Sequence, residues 1–270
     1  MVGSSGSGKS TLWQVILQLQ KPDSGQVFYY KDQEKNDLTL ISAKEKRLLT
    51  KELQIIFQDP FSSLDPQFKI ADIIGEGLLI HKMVKNKKDP QYEAMVLDIM
   101  DKCGVDRKLY NCYANELSGG QRQRIAISRS LILKPQFVVC DEIVSTLDVS
   151  NKNQILDLLN KFKKDYQITF LFITHDLGVA SYLSDRICVM HLGNIVEIGP
   201  TKKNFENPQH PYTKKLLNAM LKIKNKTNNI KEYQIDAQND KFTFLFEQNQ
   251  ADLDWHEVSA VHFILCTLKK

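Results

Sequence analysis

The sequence has no CxxC pair, no apolar run of bilayer length and no block of like charge. Its five cysteines, Cys103, Cys112, Cys140, Cys188 and Cys266, are odd in number and far apart. That pattern excludes a zinc ribbon and a disulfide framework and fits reduced thiols in a cytosolic protein. Without a membrane-length segment, the chain can reach a membrane only through a partner. No signal-peptide pattern stands ahead of the first motif. The formal net charge is only +4, and the lysines are spread along the chain, so charge gives no support to a nucleic-acid groove. What is present suffices for a sizeable core: 270 residues with 42% hydrophobic and 25% charged residues fit one large α/β domain, or a domain plus a smaller unit.

The chain is organised around its start. Gly3, Ser4, Ser5, Gly6, Ser7, Gly8, Lys9, Ser10 and Thr11 fit G-x-x-x-x-G-K-[ST]. Small residues let consecutive backbone N–H groups turn inward around an anion. Lys9 places an ammonium where β- and γ-phosphates lie, and the Ser10 hydroxyl is a Mg²⁺ ligand. Leu12, Val15, Ile16 and Leu19 then recur at helical spacing, and a helix N-terminus adds its positive dipole to the phosphate site. The bland reading, a Gly/Ser linker ending in Gly-Lys-Ser, does not account for an amphipathic helix following at once.

Along the chain, Gln26 to Lys31 is a β-prone run and Asp32 to Asn36 reads as loop. Ser42 with Glu45 forms a capping-box pattern for a short helix to about Thr50. Leu53 to Phe57 reads as a short buried strand, followed by an irregular segment to Pro66. From about 68 to 115 the chain is helical, with helices over Ile70 to His81 and from Pro90 to about Cys103. Strand–helix alternation then resumes: a helix over Gly119 to Leu133, a strand at Phe137 to Cys140, a helix over Lys152 to Lys164 and a strand at Ile168 to Ile173. A short helix over Leu177 to Leu183, a hairpin through Leu192 to Asn194 and a helix over Tyr212 to Ile223 follow. Beyond Lys224 the chain is rich in Asn, Lys and Gln, with possible strands at Phe242 to Phe246 and Ser259 to Leu265. A helical insertion in an alternating chain predicts a parallel-sheet α/β core with a helical subdomain beside it.

Two further motifs carry chemistry. Ser118, Gly119, Gly120 and Gln121, after Leu117, form a second nest of small residues at a helix start. Alone, it reads equally well as a capped helix. Val138, Val139 and Cys140 form an apolar strand that ends in Asp141 and Glu142. Asp141 is placed to hold Mg²⁺, and Glu142 is the natural general base for a water attacking the γ-phosphate.

Together these motifs make the chain resemble the nucleotide-binding subunit of an ABC transporter. The order runs from the P-loop through a Q-loop at Gln58, the signature at Leu117 to Gln121 and Walker B at Asp141-Glu142. It ends with a D-loop at Ser145-Thr146-Leu147-Asp148 and a switch histidine at His175. The resemblance implies a P-loop NTPase fold and a head-to-tail pair, with ATP between the P-loop of one subunit and the signature residues of the other. It implies that Gln58 couples Mg²⁺ and the attacking water to a transmembrane partner, that His175 contacts the γ-phosphate, and that Asp148 works across the dimer. Phe57 to Pro66 and Asn207 to Thr213, which contains His210-Pro211-Tyr212-Thr213, resemble the oligopeptide-importer branch, and Cys140 to Glu142 with Val144-Ser145 and Leu147 to Ser150 resemble its F-type ATPase. In that reading His210 and Tyr212 are structural.

The expected assembly is a heterodimer with a second ABC ATPase and two transmembrane permease subunits, served by an extracytoplasmic peptide-binding protein. It involves no nucleic acid and lies at the cytoplasmic face of the membrane. ATP and Mg²⁺ are the expected ligands. The expected division is 1–67 and 136–200 for the ATPase core, 68–135 for the helical subdomain, 201–224 for an importer-type extension and 225–270 for a tail without an assigned role. The sequence departs from the family in three places. The strands before the P-loop, with the aromatic that stacks on adenine, do not appear, so a truncated chain is expected. Ile143 replaces the usual proline, and the C-terminal cysteine cluster is missing. The other classes considered are a truncated, non-hydrolysing cassette and a non-transport ABC ATPase.

Overall fold

The computed structural model describes residues 1–224, 233, 241–245 and 250–269. The helical spacing after the glycine-rich run becomes α1 (Lys9–Ile16), with Trp13 buried. A hairpin follows, β1 (Phe28–Lys31) and β2 (Glu34–Asp37), paired from Phe28–Asp37 to Lys31–Glu34. Here the sequence reading is corrected, because the expected loop at Asp32 to Asn36 shrinks to Asp32 and Gln33. Both have positive φ, 50° and 70°, as a two-residue hairpin turn demands. A non-glycine turn and an all-polar strand hid the hairpin from a propensity argument.

Helix α2 (Ala43–Leu49) carries the expected capping box: Glu45 N–H donates to Ser42 Oγ and Ser42 N–H to the Glu45 carboxylate. Strands β3 (Leu53–Ile56) and β4 (Phe137–Asp141) run parallel, with Leu53 opposite Phe137 and Ile56 opposite Cys140. With β5 (Thr169–Ile173) they form a sheet of order β3-β4-β5. Val138, Val139 and Cys140 are fully buried, as a strand covered on both faces requires.

Between β3 and β4 lie α3 (Pro60–Ser63), α4 (Ile70–Ile80), α5 (Pro90–Lys102) and α6 (Gly119–Leu131). The expected irregular segment before Pro66 contains α3, one turn begun by Asp59, which accepts from Phe61 N–H. Helices α4, α5 and α6 contact one another, and Ile70, Ile74 and Leu78 of α4, Val96 and Met100 of α5 and Ile125 and Ile127 of α6 are fully buried. Helix α7 (Val149–Tyr166) connects β4 to β5.

The chain divides into two compact units, Met1–Lys9 with Ile173–Lys270, and Ser10–Phe172. The first contains α8 (Leu177–Leu183), β6 (Arg186–His191), β7 (Asn194–Pro200), α9 (Thr201–Glu206) and α10 (Pro211–Lys224). It continues with β8 (Phe242–Thr243), β9 (Asp254–Ser259) and β10 (His262–Leu268). Its sheet runs β6-β7-β10-β8, with β9 on β10. The hairpin between β6 and β7 turns at Leu192 and Gly193, both with positive φ. The segment left without a role thus supplies sheet strands: Phe263 pairs with Ile198 and Ile264 with Glu197. Of the expected strand at Phe242 to Phe246, only β8 is seen, and Phe246 lies outside the described residues. The strand expected from Ser259 begins at His262, and β9 was not foreseen. Among the described residues, no helix is long and apolar enough to cross a membrane.

Candidate functional site

The glycine-rich loop is seated by the two residues before it. Val2, completely buried, donates its N–H to Cys188 O (2.9 Å) and accepts from Met190 N–H (2.8 Å), while Thr174 N–H donates to Met1 O (3.1 Å). Val2 therefore bridges Thr174 on one side and Val189 on the other, both in parallel sense. This delivers Gly3 against Met190, where a Cβ would lie 2.2 Å from the Met190 carbonyl oxygen. Gly6 and Gly8 take φ values of +77° and +98°, the left-handed region that glycine enters without strain. Ser7 N–H closes on Ser4 O (3.3 Å), and Gly193 N–H donates to Ser7 O (3.1 Å). Lys9 is buried, with its ammonium donating to Gly3 O (3.0 Å), Ser4 O (2.7 Å) and Ser7 Oγ (3.4 Å).

His175 is in the same unit, exposed at the turn into α8. Its backbone is fixed from both sides. Asp176 N–H donates to Thr174 Oγ1 (2.9 Å), and the Asp176 carboxylate accepts from Gly178 N–H (2.8 Å) and Val179 N–H (3.2 Å).

In the other unit, β4 ends at Asp141. The Trp13 indole N–H donates to Asp141 Oδ2 (3.1 Å), and the indole lies edge-on to Phe57, with ring centroids 6.3 Å apart. Trp13 thus links the helix carrying Ser10 and Thr11 to Asp141 at the end of β4 and to the residue before Gln58. Sequence reading missed this role; the available signal was a tryptophan three residues after Ser10, on the buried face of the helix. Next to Asp141, Glu142 has φ +47°, a conformation that is costly for a residue with a side chain and typical of functional turns. The turn is held by Ser145, whose N–H (3.0 Å) and Oγ (2.8 Å) both donate to Glu142 O. The following Ile143 is buried. Gln58 Nε2 donates to Glu142 Oε2 at 3.3 Å, so the structure brings together two predicted residues 84 positions apart.

The second nest starts α6. Gln121 N–H donates to Ser118 Oγ (3.3 Å), and Ser118 N–H to Gln121 Oε1 (2.9 Å), a capping box that occupies both side chains. Arg122 lies over the Phe61 ring at 4.1 Å and donates to Leu117 O, which braces the segment before the helix. Beside Gly120, an added Cβ would be 3.0 Å from Asn151 Oδ1. Asn151 in turn donates through its backbone N–H (2.9 Å) and side-chain amide (2.6 Å) to Asp148, the cap of α7. Those hydrogen bonds, the backbone one foremost, hold the Asp148 carboxyl below the ordinary range, so it is anionic at neutral pH.

The donor set can be tested against a metal. A hydroxyl (Ser10), an amide (Gln58) and a carboxylate (Asp141) are hard oxygen donors, which suits Mg²⁺. Among the described residues, no group of three His, Cys, Asp or Glu side chains could hold a metal ion alone. Such a sparse set fits an ion bound jointly with phosphate oxygens.

Residues 1–145 match the family model described as ABC transporter, and residues 196–242 match the one described as oligopeptide/dipeptide transporter, C-terminal region. The oligopeptide transport ATP-binding protein OppF of Streptococcus mutans is 44% identical over 220 residues, 82% of this chain and 70% of that protein. The protein of the same name from Bacillus subtilis is 38% identical over 270 residues, 99% of this chain and 85% of that protein. A solved dimeric structure of the ATP-binding cassette MJ0796, in a post-hydrolysis state bound to ADP and Pi, matches with a TM-score of 0.64 at 27% identity. That match covers 74% of this chain and 83% of the cassette.

Proposed function

Because the chain belongs to the ABC transporter ATP-binding family, we propose that it is the ATP-hydrolysing subunit powering oligopeptide import. The observation that carries this reading is a conjunction: an ordered set of cassette motifs, followed by a segment matching the oligopeptide/dipeptide C-terminal region. In this reading Gly3 to Thr11 hold the triphosphate, with Lys9 opposite its β- and γ-phosphates. Ser10, Gln58 and Asp141 would hold Mg²⁺, which supplies charge neutralisation to the phosphates when bound. Glu142 is the general base: its left-handed backbone and its bond from Gln58 give the carboxylate a defined direction, and it takes a proton from the attacking water. His175 contacts the γ-phosphate.

Ser118, Gly119, Gly120, Gln121 and Asp148 serve the nucleotide of a second, similar ATPase subunit. Two transmembrane permeases complete the transporter and hold the chain at the cytoplasmic face of the membrane, and an extracytoplasmic binding protein supplies the peptide. The division into core segments (1–67 and 136–200), helical subdomain (68–135), importer-type extension (201–224) and tail (225–270) belongs to the same reading.

The test is ATP turnover by the assembled complex with the partner ATPase silenced. Glu142→Gln should lower turnover by about 10²-fold or more while ATP still binds. Unchanged turnover removes Glu142 as the base. A non-transport ATPase acting on nucleic acid would instead copurify with RNA rather than with membrane subunits.

A further inference from the structure

The Gly3–Ser4 peptide unit is bonded at both ends. Its carbonyl, Gly3 O, accepts from the Lys9 ammonium at 3.0 Å. Its N–H, on Ser4, donates to the Tyr212 hydroxyl at 3.1 Å, across 208 positions of sequence. One peptide plane thus joins the lysine of the phosphate-binding loop to a tyrosine of the C-terminal segment.

Tyr212 is itself firmly placed. Its ring stacks on His191 with centroids 3.8 Å apart and planes 20° from parallel. His191 is the last residue of β6, and two residues later Gly193 N–H grips Ser7 O of the same loop. The Tyr212 backbone N–H donates to His210 Nδ1 (3.2 Å). The N–H groups of Gln209 and His210 donate to the two carboxylate oxygens of Glu197, each at 3.0 Å. His262 Nε2 of β10 lies 2.6 Å from the same carboxylate. Glu197 and His210 have no solvent exposure, so this frame cannot shift without opening buried polar contacts.

We propose that Tyr212 is a positioning residue for the phosphate-binding loop, fixing the Gly3–Ser4 peptide plane and through it the Lys9 ammonium. The inference rests on the reading of Gly3 to Thr11 as the nucleotide cradle. It assigns the C-terminal segment a task at that cradle beyond its own packing. Removing the hydroxyl lets the peptide plane turn and lowers the fraction of loops ready to receive phosphates, and apparent affinity falls by the same factor.

The experiment is calorimetric titration of ATP with Mg²⁺ into the assembled complex, its partner site silenced, using wild type, Tyr212→Phe and Lys9→Ala. Phenylalanine keeps the ring stacked on His191 and deletes only the hydroxyl. The expected result is a Kd raised about three- to ten-fold by Tyr212→Phe, the scale of one lost hydrogen bond. KM should rise in step while kcat at saturating ATP is retained and the melting temperature falls by no more than a few degrees. Wild-type Kd and KM in Tyr212→Phe, with Lys9→Ala unable to bind, would overturn the positioning role and leave the cradle reading standing. A lowered melting temperature with unchanged Kd would also overturn it, because that is a packing role alone. Wild-type binding by Lys9→Ala would overturn the cradle reading and the inference with it.

Discussion

At Gly3 an added methyl group would meet the Met190 carbonyl oxygen at 2.2 Å, whereas at Gly6 it would meet nothing within 4 Å. The two glycines of one motif are therefore needed for different reasons, close approach at the first and a left-handed turn at the second. Gly3→Ala must push apart backbone that Val2 ties to Cys188 and Met190, at a cost of about 1–3 kcal/mol. Gly6→Ala carries only the conformational strain of its φ, about 1–2 kcal/mol. Urea denaturation of the two variants should place Gly3→Ala at or below Gly6→Ala in stability; the reverse order would mean that the loop's seat yields easily. The motif residues were legible as candidates because a phosphate-binding pattern restricts both residue type and spacing, as at Lys9, Asp141 and Glu142. Trp13 and Tyr212 were not, since each acts on a residue far along the chain, 128 and 208 positions away, and no local pattern encodes that meeting.

Among the elements, those with strong local signals were read correctly. Ser42 and Ser118 cap α2 and α6, Pro90 opens α5, and the apolar run at Phe137 becomes β4. The polar strands β2 and β9 were missed. Their side chains are half-buried at most, so neither needs the apolar alternation that marks a strand in sequence. Strand β10 gains its place partly through His262, whose Nε2 meets the fully buried Glu197 carboxylate on β7. His262→Leu puts an apolar side chain of similar size on the strand and removes that partner from a buried acid. The expected loss is about 3 kcal/mol in guanidinium unfolding. A loss below about 0.5 kcal/mol would mean that the Gln209 and His210 amides satisfy Glu197 unaided.

For the whole molecule, acid sensitivity follows from the buried His210. Burial, with a smaller contribution from the His191 charge, pushes its pKa down to about 3 from the ordinary 6.5. Above pH 6.5 the imidazole is neutral folded or unfolded. Below it the unfolded chain takes a proton that the folded chain refuses, so stability is lost progressively as pH falls from 6.5 toward 3. At pH 5 the loss from this residue is about 2 kcal/mol. Comparing denaturation at pH 7.5 and pH 5, His210→Gln should show a smaller drop than wild type by that amount; equal drops would place the acid sensitivity elsewhere. The α/β architecture was legible from the alternation of elements. The sheet built by β7 and β10 was not, because it joins segments that share no motif.

The central claim is that hydrolysis at this chain's Glu142 drives peptide across a membrane. Its most direct measurement is uptake of a labelled oligopeptide into vesicles containing the assembled transporter, with ATP on the nucleotide-binding face and the partner ATPase silenced. Wild type should accumulate peptide only with ATP, and Glu142→Gln should fall to the ATP-free level. Equal uptake by both would contradict the account.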